Sequence, residues 1–299
     1  MAYTGTGTQN DPYVVDNWDS LIEKIADTEA YVTVADNVDI DLTKIYPEGI
    51  PYSNAQPLLN FACKEFDGNG ITIRNAYNLN VRTGSTSVLE LAATCNTVSN
   101  FNFVNFYVNV GTQPFIRGRG TTSANKLIAH STFKGVVFTT NISSYEPISY
   151  IARFFDCVWN TKYTFTGNGY VNHKYPIFDS CWVRFDINRR WINNGGSFVN
   201  TYIEGTFKAS VNNQPAFAFG NSLCSILNAN IVAGAYTGCT ITAASGATMC
   251  LINSDKVDEG ITLGGTTSAM IEVTDNQLKD YNYLKDIFPV VPNEEGSGG

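Results

Sequence analysis

From Val98 onward the chain keeps returning to one six-residue phrase: apolar, any residue, Asn/Asp or His, small or apolar, any residue, apolar. It runs over Val98–Phe103, Ile128–Phe133, Phe154–Trp159, Ile177–Trp182, Phe198–Ile203 and Ile226–Ile231, with weaker members at Ile73 and Leu251. The polar position is held in turn by Asn75, Asn100, His130, Asp156, Asp179, Asn200, Asn228 and Asn253, in steps of 21 to 30 residues. Such steps fit one turn of a three-sided coil, in which short strands alternate with turns of variable length. A propeller blade or leucine-rich repeat holds its period more tightly. The pattern predicts a single right-handed parallel β-helix of about eight rungs. The polar column is predicted to be a ladder, each side chain hydrogen-bonding the same position one rung away at about 4.8 Å. Asn at the ordinary turns of a β-sandwich would not bring the flanking apolar pattern with it.

Two segments break this rhythm. Residues 16–28 open on an N-cap and place Trp18, Leu21, Ile22 and Ile25 on one helical face. Thr274–Gln277 reads as a capping box ahead of Leu278, Tyr281, Leu284 and Lys285. A solenoid exposes unpaired backbone at both ends and must cover it, so a helix is expected over each end. The resulting division is an opening segment and capping helix at 1–30, the β-helix at 31–272, a C-terminal capping helix at 273–292 and a flexible tail at 293–299.

Composition supports an all-β chain. Only 15% of residues are charged against 13% aromatic, and Asn, Thr, Ser and Gly take the polar role, which suits turns and pleated surfaces. The net charge of −8 removes the basic stripe that phosphate neutralisation requires, so no nucleic-acid partner is expected. No apolar run approaches the roughly 18 residues of a membrane span, and no secretion signal is recognisable. Seven cysteines without a C-x-x-C pair read as reduced, buried filler, and no metal or other cofactor is expected.

Several motifs carry a family resemblance. Gly5, Gly7, Thr8, Pro12 and Tyr13 resemble the G-x-G-T-x-x-x-P-Y opening of pectate-lyase-like parallel β-helix proteins. Tyr31–Leu42 resembles their first rung, and Phe66–Ile73 their D-G-x-G-x-x-I rung. Glu272–Leu284 is similar to the closing helix of β-helical proteins in tailed-bacteriophage virions. The resemblance spans residues 5–288. It implies the fold, and beyond it a head-fibre, decoration or tail-associated role on the particle surface. By analogy it also implies a homotrimer.

Enzymes of this fold make a search for catalysis necessary. The N-T-D, D-D, G-H-G and R-I-K elements of the pectin hydrolases are missing here, as is the R-x-P-x-x-R strand of the lyases. Asp36, Asp39 and Asp41 form a tight acidic group, better suited to capping than to a calcium ion that needs six to eight oxygens. Glu146, Asp186, Glu204 and Asp67 could in principle pair across rungs as the carboxylates of a polysaccharide-degrading enzyme. His130 stands in the polar column, and His173 lies in a Gly/Asn/Tyr-rich turn. Gly5, Gly7, Gly118 and Gly120 lack the strand-then-helix context of a dinucleotide loop. Asn141 opens a sequon with no secretory context.

What remains are basic and aromatic turn clusters, Arg117 with Arg119, and Arg189, Arg190 and Trp191. Arginine and tryptophan dominate interfaces, so these five are the expected contacts to other virion proteins or a host-surface glycan. The expectation is a non-enzymatic virion component, with a capsule depolymerase, lyase or hydrolase as the alternative.

Overall fold

The computed structural model describes residues 3–50, 57–81, 87–110, 114–119, 126–140, 144–166, 170–174, 176–194, 196–280 and 282–284. The chain is all-β and winds as a parallel β-helix. Among the described residues, strands of successive coils lie side by side in parallel register in a 17-stranded sheet and a 10-stranded sheet, with one antiparallel pair at the start, Tyr3–Thr4 against Tyr13–Val15. One register line of the larger sheet runs Asn102, Thr132, Val158, Trp182, Tyr202, Ile226, Leu251, Ile271. The step between neighbours varies from 20 to 30 residues because insertions fall in the turns, where they leave the ladder intact.

The larger sheet bends at a corner between pairs such as Arg153–Phe155 and Val158–Phe165. Six corner residues adopt left-handed backbone: Asn100, His130, Asp156, Ser180, Asn200 and Cys224, with φ between 48° and 56°. Asn, Asp and His tolerate this conformation better than other side chains. The expected single column of eight polar residues is therefore corrected. Asp179 stands one residue before the corner, in register with Phe155 and Val199, and Ser180 makes the turn. Asn228 and Asn253 lie beyond the corner, in register with Glu204 and Val273 respectively. Asn75 turns a different bend, where it bonds Asp41 at 3.2 Å and Asn105 at 3.3 Å. Asn100 bonds Asp67 at 2.8 Å, and Asn253 bonds Asn228 at 2.7 Å. The polar side chains thus form several short ladders on different columns.

A longer ladder lies one residue past the corner, inside the coil. Ser131, Cys157, Cys181, Thr201 and Ser225 share one register column and are buried. Each donates to the carbonyl two residues earlier: Ser131 to Ala129 at 2.6 Å, Cys157 to Phe155 at 3.3 Å, Cys181 to Asp179 at 3.3 Å, Thr201 to Val199 at 2.9 Å and Ser225 to Leu223 at 3.3 Å. Four of them also bond a carbonyl of the preceding coil, for example Thr201 to Phe178 at 2.8 Å. The left-handed corner turns these carbonyls inward, and a small hydroxyl or thiol satisfies them without filling the core. Six of the seven cysteines are buried, all seven are unpaired, and burial pushes the Cys250 thiol up to about 12. The rest of the interior is aromatic stacking, including Phe154 on Phe178 at 5.2 Å and Phe178 on Phe198 at 5.4 Å.

The first end is covered as the amphipathic pattern requires. Helix α1 spans Trp18–Ile25 with Asn17 as N-cap and a reciprocal box to Ser20. Trp18, Leu21 and Ile25 are buried in the main core, and Ile22 packs against it half-buried. The Ile25 carbonyl accepts from Ala62 at 2.7 Å and Cys63 at 2.9 Å, which ties the helix end to the coil below.

The C-terminal segment behaves differently. The helix here is only Asp275–Leu278, capped by Thr274 and Gln277 as expected. Leu278, Tyr283 and Leu284 pack with Ile226, Leu251 and Ile271. Those three side chains point out of the coil, whereas their neighbours Leu227 and Ile252 point into the main core. The segment therefore lies along the outer face of the last coils and does not sit over the end. Ile226–Leu227 and Leu251–Ile252 are apolar on both faces, and such a strand must be covered outside as well as inside. Tyr281, Lys285 and the expected tail 293–299 lie outside the described residues.

Candidate functional site

Three regions gather the chemistry-bearing side chains. The first is the outer face of the second sheet, where Asn60, Glu90, Arg117 and Ser149 stand in register. Glu90 is only 4% exposed, and Arg119 meets it at 2.5 Å. Ser87 reaches the other carboxylate oxygen at 3.4 Å. Beside them Lys126, 2% exposed, donates to the carbonyls of Ala92, Ala93 and Cys95 at 2.6, 3.0 and 2.6 Å. Burial pushes its ammonium below the ordinary lysine value. A Cβ on Gly118 would come within 2.1 Å of the Tyr150 carbonyl, so this close approach of coils demands glycine. Glu90 and Lys126 were not singled out from sequence. A charge inside the apolar Leu89–Leu91 triplet is the signal that could have found Glu90.

The expected contact residues divide on burial. Arg117 is half-buried within the strand Ile116–Gly118, and Arg119 belongs to the Glu90 pair. Arg189 donates to the Asn188 carbonyl at 2.7 Å. Arg190 lies over the Tyr170 ring at 4.8 Å and donates to Gln214 at 3.1 Å. Trp191 is corrected outright: it is fully buried, stacked on Phe185 at 4.7 Å, and cannot meet a partner. Strand alternation turns it inward between Arg190 and Ile192.

The second region is the corner. His130 Nδ1 and Asp156 Oδ2 are 2.9 Å apart, Arg153 pairs with Asp179, and Ser180 donates to Asp179 at 3.0 Å. The column order His130, Asp156, Ser180 puts the carboxylate in the middle. A nucleophilic triad needs the imidazole between carboxylate and hydroxyl, so this set cannot relay a proton from Ser180 to His130.

The third region is an open cleft of about 730 Å³ beside α1, lined by Asp16, Asp19, Asp36, Asp39 and Asp41 among others. Arg74 bridges Asp39 at 2.8 Å and Asp41 at 3.0 Å, and Asn69 donates to Asp36 at 2.8 Å. Among the described residues no group of three or more His, Cys, Asp or Glu is arranged to hold a metal ion. Asp41 also caps the short helix Leu42–Ile45. The Thr43 hydroxyl first, then Asn75 and Arg74, hold its carboxyl below the usual carboxylate value of 3.8. A lowered folded value means that the stabilisation is fully present above about 3.8 and is lost as pH falls through that lower value. Asp41→Asn should therefore flatten the acid limb of the thermal-stability profile below pH 4. An unchanged acid limb would remove Asp41 from the explanation.

The remaining carboxylates are placed as follows. Asp67 accepts from Asn100 and from the Asn69 amide, so it belongs to a ladder. Asp186 and Glu204 share an outer face on neighbouring coils, with Arg184 at 3.4 Å from Asp186. Glu146 is half-buried ahead of Ile148–Ser149. His173 lies in the strand Tyr170–Lys174 with its side chain outside the description, and Asn141 and Gly120 fall outside the described residues.

No family model matches the chain, and no curated protein matches it significantly. Among solved structures it matches one described as a putative immunoglobulin A1 protease from Bacteroides ovatus. The match covers 96% of this chain and 90% of that one at 13% identity, with a TM-score of 0.37. A likeness this distant carries no argument about activity.

Proposed function

We propose that the chain is a non-enzymatic structural or adhesion component of a tailed-bacteriophage virion, a head-fibre, decoration or tail-associated protein exposed on the particle surface. Its partners are other virion proteins and host-surface glycan. One observation carries the non-enzymatic reading. Several of the side chains that could do acid–base chemistry are paired across coils: His130 with Asp156, Asp179 with Arg153, Glu90 with Arg119, and Asp39 and Asp41 with Arg74. The virion part rests on the resemblance of the opening motif and the closing segment to phage β-helix proteins.

Incubation of the purified protein with capsular polysaccharide or teichoic acid should release no reducing or unsaturated sugar ends. Release that disappears in Asp186→Asn or Glu204→Gln would overturn the proposal and establish a carbohydrate-active enzyme.

A further inference from the structure

The outer apolar line that the C-terminal segment covers at Ile226 and Leu251 does not stop there. It continues one coil at a time through Tyr202 and Trp182 to Val158, which is 39% exposed. Across the corner, Ile177 and Leu223 are exposed to a similar degree. Beside the line runs a second outward column, Lys134, Asn160, Arg184, Glu204, Asn228. Its charge changes sign halfway: Lys134 and Arg184 occupy the earlier coils, Glu204 the next. The acidic side is extended by Asp275, whose carboxylate accepts at 2.5 Å from Asn253, the residue one coil after Asn228 in that column.

We propose that this face is the interface between two copies of the chain packed antiparallel about a two-fold axis. A two-fold lying in the interface across the coil axis reverses the order of coils and keeps each column facing itself. With the axis between the Trp182 and Tyr202 coils, Trp182 of one copy meets the second copy's Tyr202, and Val158 meets the covered rim at Ile226. In the charged column Arg184 then meets Glu204 twice, once from each side. Lys134 meets the end where Asp275 lies. Apolar and ionic patterns are thus complementary under one operation, and complementary charge fixes register in an interface. A two-fold dimer differs from the trimer that the family resemblance implies, and it does not depend on what the protein binds elsewhere.

The test is sedimentation equilibrium of the full chain, joined to iodide quenching of tryptophan fluorescence. Trp18, Trp159 and Trp191 are buried, so quenching reports mainly on half-exposed Trp182. The expected result is a dimer whose Trp182 is shielded and becomes quenchable on dilution. Arg184→Glu and Glu204→Arg should each weaken dimerisation at least tenfold, and the double exchange should restore it. A circular dichroism melt of each variant separates this from unfolding. A monomer with Trp182 shielded at every concentration would overturn the proposal. So would a trimer, or single exchanges that leave association unchanged.

Discussion

Replacing Trp191 with alanine is expected to lower folding stability by about 3–5 kcal/mol, the larger of two major losses anticipated for single substitutions. The indole is fully buried, stacked on Phe185 and in contact with Phe198 and Phe207. Its neighbours belong to two successive coils and are fixed by strand register, so they cannot collapse into the space it leaves. Urea denaturation followed by circular dichroism should show a lower midpoint with an unchanged slope. Arg190→Ala, which removes a ring contact and one exposed hydrogen bond, should cost under about 1 kcal/mol. Equal effects of the two substitutions would mean that Trp191 is not in the core.

The second large effect is expected at Lys126. Its ammonium satisfies three carbonyls of the bend at residues 92–95. Lys126→Met keeps most of the apolar stem but leaves those acceptors without their donor. At about 1–3 kcal/mol for each buried polar group left unsatisfied, a loss of about 3 kcal/mol is expected in the same denaturation experiment. A neutral Lys126→Met would show that water reaches the bend and that the lysine is dispensable.

Much of the architecture was legible because it depends on patterns that a strand cannot avoid. Recurrence of the six-residue phrase located the coils, and at Asn100, His130, Asp156 and Asn200 it located the corner itself, where residue type and left-handed backbone coincide. It failed where they part. Ser180 and Cys224 turn the corner without being Asn or Asp, so choosing the nearest polar residue slipped to Asp179 and Asn228. The internal ladder was hidden because Ser131, Cys157, Cys181, Thr201 and Ser225 look like unrelated small residues until the register aligns them. The C-terminal segment was misplaced for a different reason. Its amphipathic pattern shows that it must bury one face, but not which surface receives it. The doubly apolar pairs at Ile226–Leu227 and Leu251–Ile252 held that information. At the candidate site the sequence points to Arg119 through its basic turn cluster, whereas its buried partner Glu90 stands alone between Leu89 and Leu91 with no motif around it. Trp191 misled because arginines at Arg189 and Arg190 suggest a turn, whereas residues 190–194 form a strand.

Charged pairs join neighbouring coils, and the proposed place on a virus particle is the claim most exposed to test. Immunogold electron microscopy of purified phage particles, with antibody raised against this chain, measures that directly. The account predicts gold at a fixed position on the particle surface. Particles that carry no label, with the antigen recovered only from the soluble lysate, would contradict it.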